Sequence, residues 1–314
     1  MKKDMLHMLR CPQCRNADLE LSVSRQDDSG EIVEGTLVCK NDGREFQINN
    51  GIPRFVDSIG QLHDTKAKFE YQWKTWGGDE IIFGRTKEES KAYFLKYMGF
   101  NLNESYLANK VTLDAGCGHG RFVEIFSEMG ASRSVGIDLG EGIYVAKKRN
   151  HARKNVDLAQ GNLLELPFQD NTFDYIWCNG VAHHTPDAKR VVRNLSEALK
   201  PGGYVNIWLY PKGGFLWEAS QSFLRAITTR LPPSVLYFLT YLAVPILYFV
   251  PTWSGTNPRK NTWKECAQVI YDWYSPKYQS HHTVQEVVEW FREFGFSEID
   301  TPPFPVTVIA RKPI

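Results

Sequence analysis

The chain has 314 residues, enough for one large domain with attachments or for two domains. Hydrophobic residues make up 42%, so a sizeable core can be buried, and 37 basic against 36 acidic side chains leave a formal charge of +1. No global field draws such a chain to nucleic acid or to an anionic membrane, so a nucleic-acid partner is not expected without a local basic patch.

The cysteines are Cys11, Cys14, Cys39, Cys117, Cys178 and Cys266. The start, MKKDMLHMLRCPQC, is basic but holds no uninterrupted apolar run, so a secretory leader is not expected and a cytoplasmic location is. In a reducing compartment a Cys-x-x-Cys pair more often holds metal or does redox work than forms a lasting bridge.

Residues 1–58 carry Cys11-Pro12-Gln13-Cys14, then Cys39, then Asp42 where a second pair would place its fourth cysteine. Two knuckles of this kind can grip Zn²⁺ tetrahedrally, in a structural role. The run through Gly51-Ile52-Pro53 resembles the small zinc-ribbon-like domains related to the activator subunit of several tRNA and protein methyltransferases. Some members of that family share the Cys-x-x-Asp second half. Residues 59–108 are rich in aromatic and charged side chains, with Phe69, Tyr71, Trp73 and Trp76 close together, and similar enzymes have a helical cap or linker here.

Residues 109–211 alternate strand-like and helical runs. The strands read Val111–Ala115, Ser134–Asp138, Asn155–Gln160, Phe173–Asn179 and Tyr204–Tyr210. In Pro186–Leu199, Val192, Leu195 and Leu199 fall on one helix face, and Pro201-Gly202-Gly203 stops the helix. The alternation predicts a mainly parallel sheet covered on both faces. A helix at Thr283–Phe294 and a closing antiparallel pair at Phe296–Asp300 and Pro305–Arg311 follow.

The sharpest motif is VTLDAGCGHGRF, residues 111–122. A strand runs into Asp114-Ala115-Gly116-Cys117-Gly118-His119-Gly120 and then into a helix. Glycines allow a tight turn and let a ligand approach the backbone. The spacing is Gly-x-Gly-x-Gly rather than the dinucleotide pattern, and Asp114 precedes it. A pyrophosphate would be repelled there, whereas a ligand ammonium would be welcomed. The next strand ends at Asp138, followed by Leu139, where an acid can accept both ribose hydroxyls. The third leads to Asn162-Leu163, whose amide can meet an adenine edge.

With the later Leu166-Pro167-Phe168, Phe173-Asp174-Tyr175-Ile176, Asn179-Gly180-Val181-Ala182-His183-His184 and Leu199-Lys200-Pro201-Gly202-Gly203, this series resembles the class I S-adenosylmethionine-dependent methyltransferases, in particular their small-molecule group. The resemblance implies an α/β fold. It would be a Rossmann-like, doubly wound, seven-stranded sheet across residues 109–314, with the zinc-ribbon-like β module before it and a helical cap inserted at about 212–262. It implies S-adenosyl-L-methionine as cofactor, its methionine portion surrounded by Asp114, Gly116, Cys117, Gly118, His119 and Gly120. Asp138 and Leu139 would hold the ribose, Asn162 and Leu163 would flank the adenine, and Asn179 and Val181 would line the methionine side. Asn162 stands where the family usually has Asp, and its amide oxygen can still accept a hydrogen bond from the adenine amino group.

A hydroxyl acceptor needs a base. His183 and His184 follow the fourth strand at the sheet edge where such folds bind ligands, and either is a candidate. The competing reading, from the resemblance, is that the second histidine, His184, only positions the helix that follows. Gln72, Trp73 and Tyr210 are weaker substrate-side candidates, and Asp272-Trp273-Tyr274-Ser275-Pro276 resembles a segment of one bacterial subgroup. No Asn-Pro-Pro-Tyr or Asp-Pro-Pro-Tyr run follows the fourth strand, which speaks against the amino methyltransferases of nucleic acids.

Residues 231–258 hold no charged side chain. The apolar run Val235–Val250 is shorter than the roughly 20 residues of a membrane span and is interrupted by Pro245. A helical cap that roofs the acceptor pocket, with Phe238 and Tyr241 near the acceptor, is expected; membrane-surface contact through 231–251 is the alternative. The leading function is methyl transfer, O-directed, to a small molecule or a glycan or lipid precursor. The rivals are an RNA methyltransferase with an N-terminal zinc ribbon and a non-catalytic cofactor-binding scaffold.

Overall fold

The computed structural model describes residues 1–56, 62–76, 78, 80, 85–247 and 262–314. The chain opens with four short strands, β1 (Leu19–Gln26), β2 (Ile32–Cys39), β3 (Glu45–Asn49) and β4 (Ile52–Phe55). Two helices follow, α1 (His63–Trp76) and α2 (Lys87–Tyr97). The alternating part then runs β5 (Val111–Ala115), α3 (Arg121–Glu128), β6 (Arg133–Asp138), α4 (Gly142–Arg149), β7 (Val156–Gly161), β8 (Phe173–Asn179), α5 (Ala188–Ala198) and β9 (Leu199–Trp208). Helices α6 (Phe215–Thr228), α7 (Pro233–Leu247), α8 (Trp263–Tyr274) and α9 (Val284–Glu293) precede β10 (Glu298–Asp300) and β11 (Thr307–Arg311).

Seven strands lie in the order β7-β6-β5-β8-β9-β11-β10. The first five are parallel, while β11 runs antiparallel to β9 and to β10. This is the expected Rossmann-like sheet with its closing antiparallel pair. Every residue of β7 is buried, as a parallel strand covered on both faces requires. Helix α5 shows why the periodic reading worked. The Asp187 side chain caps it by accepting from the Arg190 N–H at 2.9 Å, and Val191, Val192, Leu195 and Ala198 are buried. It ends one residue earlier than expected because Leu199 already enters β9.

The N-terminal module does more than precede the sheet. Its last strand, β4, pairs in parallel with β7, so the seven strands grow to eleven, from β1 to β10. The core is correspondingly continuous. Leu37, Ile48 and Phe55 of the module belong to one apolar cluster with Ile137, Ile176 and Leu195. Arg10 bridges to Asp170 at 2.7 Å, and Lys2 reaches the buried Asp157 at 3.2 Å.

The insertion after β9 is helical, as expected, up to residue 247; residues 248–261 of the expected segment lie outside the described residues. Pro245 sits inside α7 near its end and does not stop it. Leu236 packs against Trp76 and Tyr271, and the Trp76 Nε1–H donates to the Tyr237 hydroxyl at 3.0 Å. Among the described residues, no helix is long and apolar enough to cross a membrane.

Candidate active site

The cleft lies where the sheet order reverses, between β5 and β8, beyond the carboxyl ends of the strands. At the end of β5 the chain turns sharply. The amides of Gly116 and Cys117 both donate to the Ile137 carbonyl, at 2.8 and 2.9 Å. Gly116 has φ +86°, and a Cβ there would collide with Val181. Gly118 has φ +50°, and a Cβ would lie 2.6 Å from Trp73 Cζ2. The Trp73 indole rests on this turn and stacks on His119, ring centres 4.8 Å apart. Gly120 starts α3, with Asn150 donating to its carbonyl at 3.2 Å.

Asp114 is 3% exposed and lines the cleft, and its Oδ2 has no hydrogen-bond partner. Burial first, and then the nearby Asp138, push its carboxyl well above the usual range. A buried acceptor with a free oxygen, facing a cavity of about 270 Å³, suits a ligand cation. Asp138 is organised differently. Its Oδ2 accepts from the Gly118 N–H and its Oδ1 from the Gly140 N–H, each at 2.8 Å. The carboxylate ties the glycine turn to the loop after β6, and each oxygen keeps capacity to accept from a ribose hydroxyl. The residues present therefore fit S-adenosylmethionine, which would supply an electrophilic methyl on sulfonium. Asp114 would hold its ammonium and Asp138 its ribose.

The other expected cofactor residues divide. Gly116, Cys117, His119, Leu139, Asn162, Leu163, Asn179 and Val181 line the cleft. Gly118 and Gly120 are not among the lining residues: the first lies under Trp73, the second against Ala146. The Asn162 Oδ1 accepts from the Leu164 N–H at 2.9 Å, capping the short turn that follows, and the Asn179 amide donates to the Tyr93 hydroxyl at 3.1 Å. Cys117 is buried beside two carboxyls, and its thiol is pushed well up, so it packs rather than attacks.

On the acceptor side, His184, Trp73 and Tyr210 line the cleft. His183 and Gln72 stand behind that wall, both fully buried. The two histidines face each other, Nε2 to Nε2 at 3.1 Å, and His184 Nδ1 lies 3.2 Å from the Tyr278 carbonyl. A carbonyl can only accept, so neutral His184 carries its proton on Nδ1, and its Nε2 lone pair receives the His183 N–H. Burial pushes His184 down to about 3 and His183 well below its usual value.

The Asp272–Pro276 run, expected at the pocket from its resemblance but without a chemical role for Asp272, does reach it: α8 delivers Asp272 into the same wall with Trp273. Asp272 Oδ2 accepts from the Tyr210 hydroxyl at 3.0 Å, and Oδ1 from the Gln72 amide at 3.2 Å. Trp177 and Trp208 complete an aromatic lining. A lone acid between Tyr271 and Trp273 was the available signal, but its placement depends on how α8 returns to the sheet.

Among the described residues, the insertion does not line the cleft. No residue of α6 or α7 is among the lining residues, and Phe238 is 63% exposed, contrary to the expected roof. Helices α1 and α8 form that wall, and α7 packs behind them. In the module, Cys11, Cys14, Cys39 and Asp42 converge, their ligand atoms all within 4.8 Å of one another. Cys11 Sγ lies 3.4 Å from Asp42 Oδ2, and Cys14 Sγ lies 3.5 Å from Cys39 Sγ. Tetrahedral zinc with Zn–S near ~2.3 Å needs ligand separations of about 3.5–3.8 Å, so the cluster fits a structural zinc ion.

Comparison with known proteins agrees with this geometry. Residues 113–207 match the family described as a methyltransferase domain, and residues 2–51 match the Trm112p-like protein family. The chain thus carries a class I methyltransferase domain joined to an N-terminal Trm112p-like module. A demethylmenaquinone methyltransferase of Bacillus cereus (strain B4264) is 27% identical over 179 residues, 56% of this chain and 64% of that protein. Its counterpart in Bacillus cereus (strain ATCC 10987 / NRS 248) is 26% identical over 203 residues, 63% and 74%. The match thus spans a little under two thirds of the first relative's length. A Mesorhizobium loti S-adenosylmethionine-dependent methyltransferase is similar in structure, with TM-score 0.45 and 18% identity, over 73% of this chain and 100% of that one.

Proposed function

We propose that this chain transfers the methyl group of S-adenosylmethionine to an oxygen of a small, largely apolar acceptor. The observation that carries the reading is the unpartnered, buried Asp114 oxygen beside the glycine turn, in one cleft with Asp138. Asp114 offers a cation seat and Asp138 a diol seat, and both fall within the matched methyltransferase domain. The aromatic lining favours an acceptor with an apolar body, since a dry aromatic wall penalises unpaired polar groups. The named activity of the Bacillus relatives supports a small-molecule acceptor, including lipid precursors of the quinone type. Exposed Phe215, Leu216, Phe223 and Phe238 on α6 and α7 support contact with a membrane surface when the acceptor is a lipid. The module's place is structural, holding zinc and extending the sheet.

The test is transfer of labelled methyl from S-adenosylmethionine into separated metabolite, lipid and RNA fractions. Label in the metabolite or lipid fraction, at an alkali-stable ether, is expected. Label confined to RNA would replace this reading with its nucleic-acid rival.

A further inference from the structure

Asp272 is a half-buried carboxyl in the cleft wall that none of the cofactor contacts uses. Its surroundings are built around it. Tyr210 and Gln72, from the segments after β9 and within α1, each donate to one of its oxygens. Both donors are neutral, so each oxygen keeps a free acceptor position and the charge remains uncompensated. The Tyr210 ring is fixed between Trp273, 4.3 Å away and nearly parallel, and His183, 3.8 Å away. Arg225 of α6 holds the segment after α8 by donating to the carbonyls of Trp273 and Pro276, each at 2.6 Å.

Resting on the methyl-transfer reading above, we infer that Asp272 takes the proton from the acceptor's hydroxyl, and that the acceptor is an aromatic hydroxyl compound of the phenol or hydroquinone class. Flat walls from Phe69, Trp208 and Trp273 match a flat ring, and an aliphatic alcohol would be too weak an acid for a carboxylate. The step balances without a further reagent. The acceptor's O–H proton passes to the Asp272 carboxylate, and the oxygen's lone pair forms the new O–C bond. The S–C bond breaks with its electron pair left on sulfur, giving an aryl methyl ether and the neutral thioether, and Asp272 then releases its proton to water. Burial raises the Asp272 carboxyl to about 6, against the two donated hydrogen bonds. It is therefore ionised at neutral pH yet basic enough to accept. The histidines are less suited, because His184's only lone-pair nitrogen is already engaged.

The experiment uses the full chain, its Asp272→Asn and Tyr210→Phe variants, S-adenosylhomocysteine as binding probe and naphthohydroquinone as acceptor probe. In the wild type, infrared difference spectra should show a carboxyl band titrating near pH 6 that Asp272→Asn lacks. Asp272→Asn should bind S-adenosylhomocysteine within about twofold of wild type while losing about 10²-fold or more in methyl transfer. Tyr210→Phe removes a bond that lowers the carboxyl, so its pH–rate limb should move to higher pH. An Asp272→Asn enzyme that keeps the rate and the limb overturns the base assignment, as does an unmoved limb in Tyr210→Phe. A wild type that binds S-adenosylhomocysteine but never methylates the probe overturns the acceptor class. A wild type that binds no S-adenosylhomocysteine overturns the methyl-transfer reading itself, and with it this one.

Discussion

Replacing Asp138 by Ala should weaken S-adenosylhomocysteine binding far more than it weakens the fold. Two things are lost together. The first is the direct, charge-assisted contact with the ribose, worth about 1.5–3 kcal/mol for a hydrogen bond to a charged group. The second is the pair of bonds at 2.8 Å that hold the Gly118 and Gly140 amides, and so the turn that approaches the ligand. Water can enter the open cleft and solvate those amides, so only part of the cost of an unpaired group applies. The expected net loss of affinity is about 1–3 kcal/mol, or about 5- to 150-fold at 1.36 kcal/mol per decade. Asp138→Asn keeps one acceptor oxygen but turns its amide N–H₂ toward the other backbone donor, and should fall between. Calorimetric titration with S-adenosylhomocysteine measures the affinity, and a parallel melt separates folding from binding. Affinity within about twofold of wild type in a folded Asp138→Ala protein would refute the ribose assignment.

Gly116→Ala should lower both stability and cofactor affinity, since φ +86° is strained for alanine and its Cβ would strike Val181; a cost of about 1–3 kcal/mol in chemical unfolding is expected. Metal analysis should find one zinc per chain, and chelation or Cys14→Ser should unfold the module first, seen as a low-temperature step in the melt; a single unchanged transition would deny the ion a structural role. Stability should fall on acidification from pH 6.5 toward about 3, because folded His183 and His184 are neutral while the unfolded chain takes up their protons. The slope approaches ~1.4 kcal/mol per pH unit for each, and His184→Gln should flatten it in pH-dependent denaturant titrations. Charged replacements at the exposed Phe223 and Phe238 should leave S-adenosylhomocysteine affinity unchanged while reducing flotation with anionic vesicles; an affinity loss would mean that the insertion reaches the cleft after all.

The strands and the glycine turn were legible because their causes are local. Strand-like runs alternating with helical ones marked β5 to β8, and Asp114 with its three glycines marked the strand-to-helix turn. The convergence of Cys11, Cys14, Cys39 and Asp42 was expected from their spacing together with the resemblance to zinc-ribbon-like modules. What stayed hidden depends on how distant segments meet. Nothing between Ile52 and Phe55 states that this strand will pair with β7 and merge two expected units into one sheet. The apolar composition of α6 and α7 required burial or a partner but not a direction, and the cleft wall went instead to α1 and α8. The Asp272 segment was noticed but its chemistry was not, because that appears only once Tyr210 and Gln72 arrive from 62 and 200 residues away.

The central claim is that Asp114 and Asp138 form one seat for S-adenosylmethionine. A crystal structure of the full chain with S-adenosylhomocysteine tests it most directly. The ligand's ammonium is expected within hydrogen-bond reach of the now-satisfied Asp114 Oδ2, with its ribose hydroxyls on Asp138. Ligand bound elsewhere, or a cleft that stays empty at saturating ligand, would contradict the account.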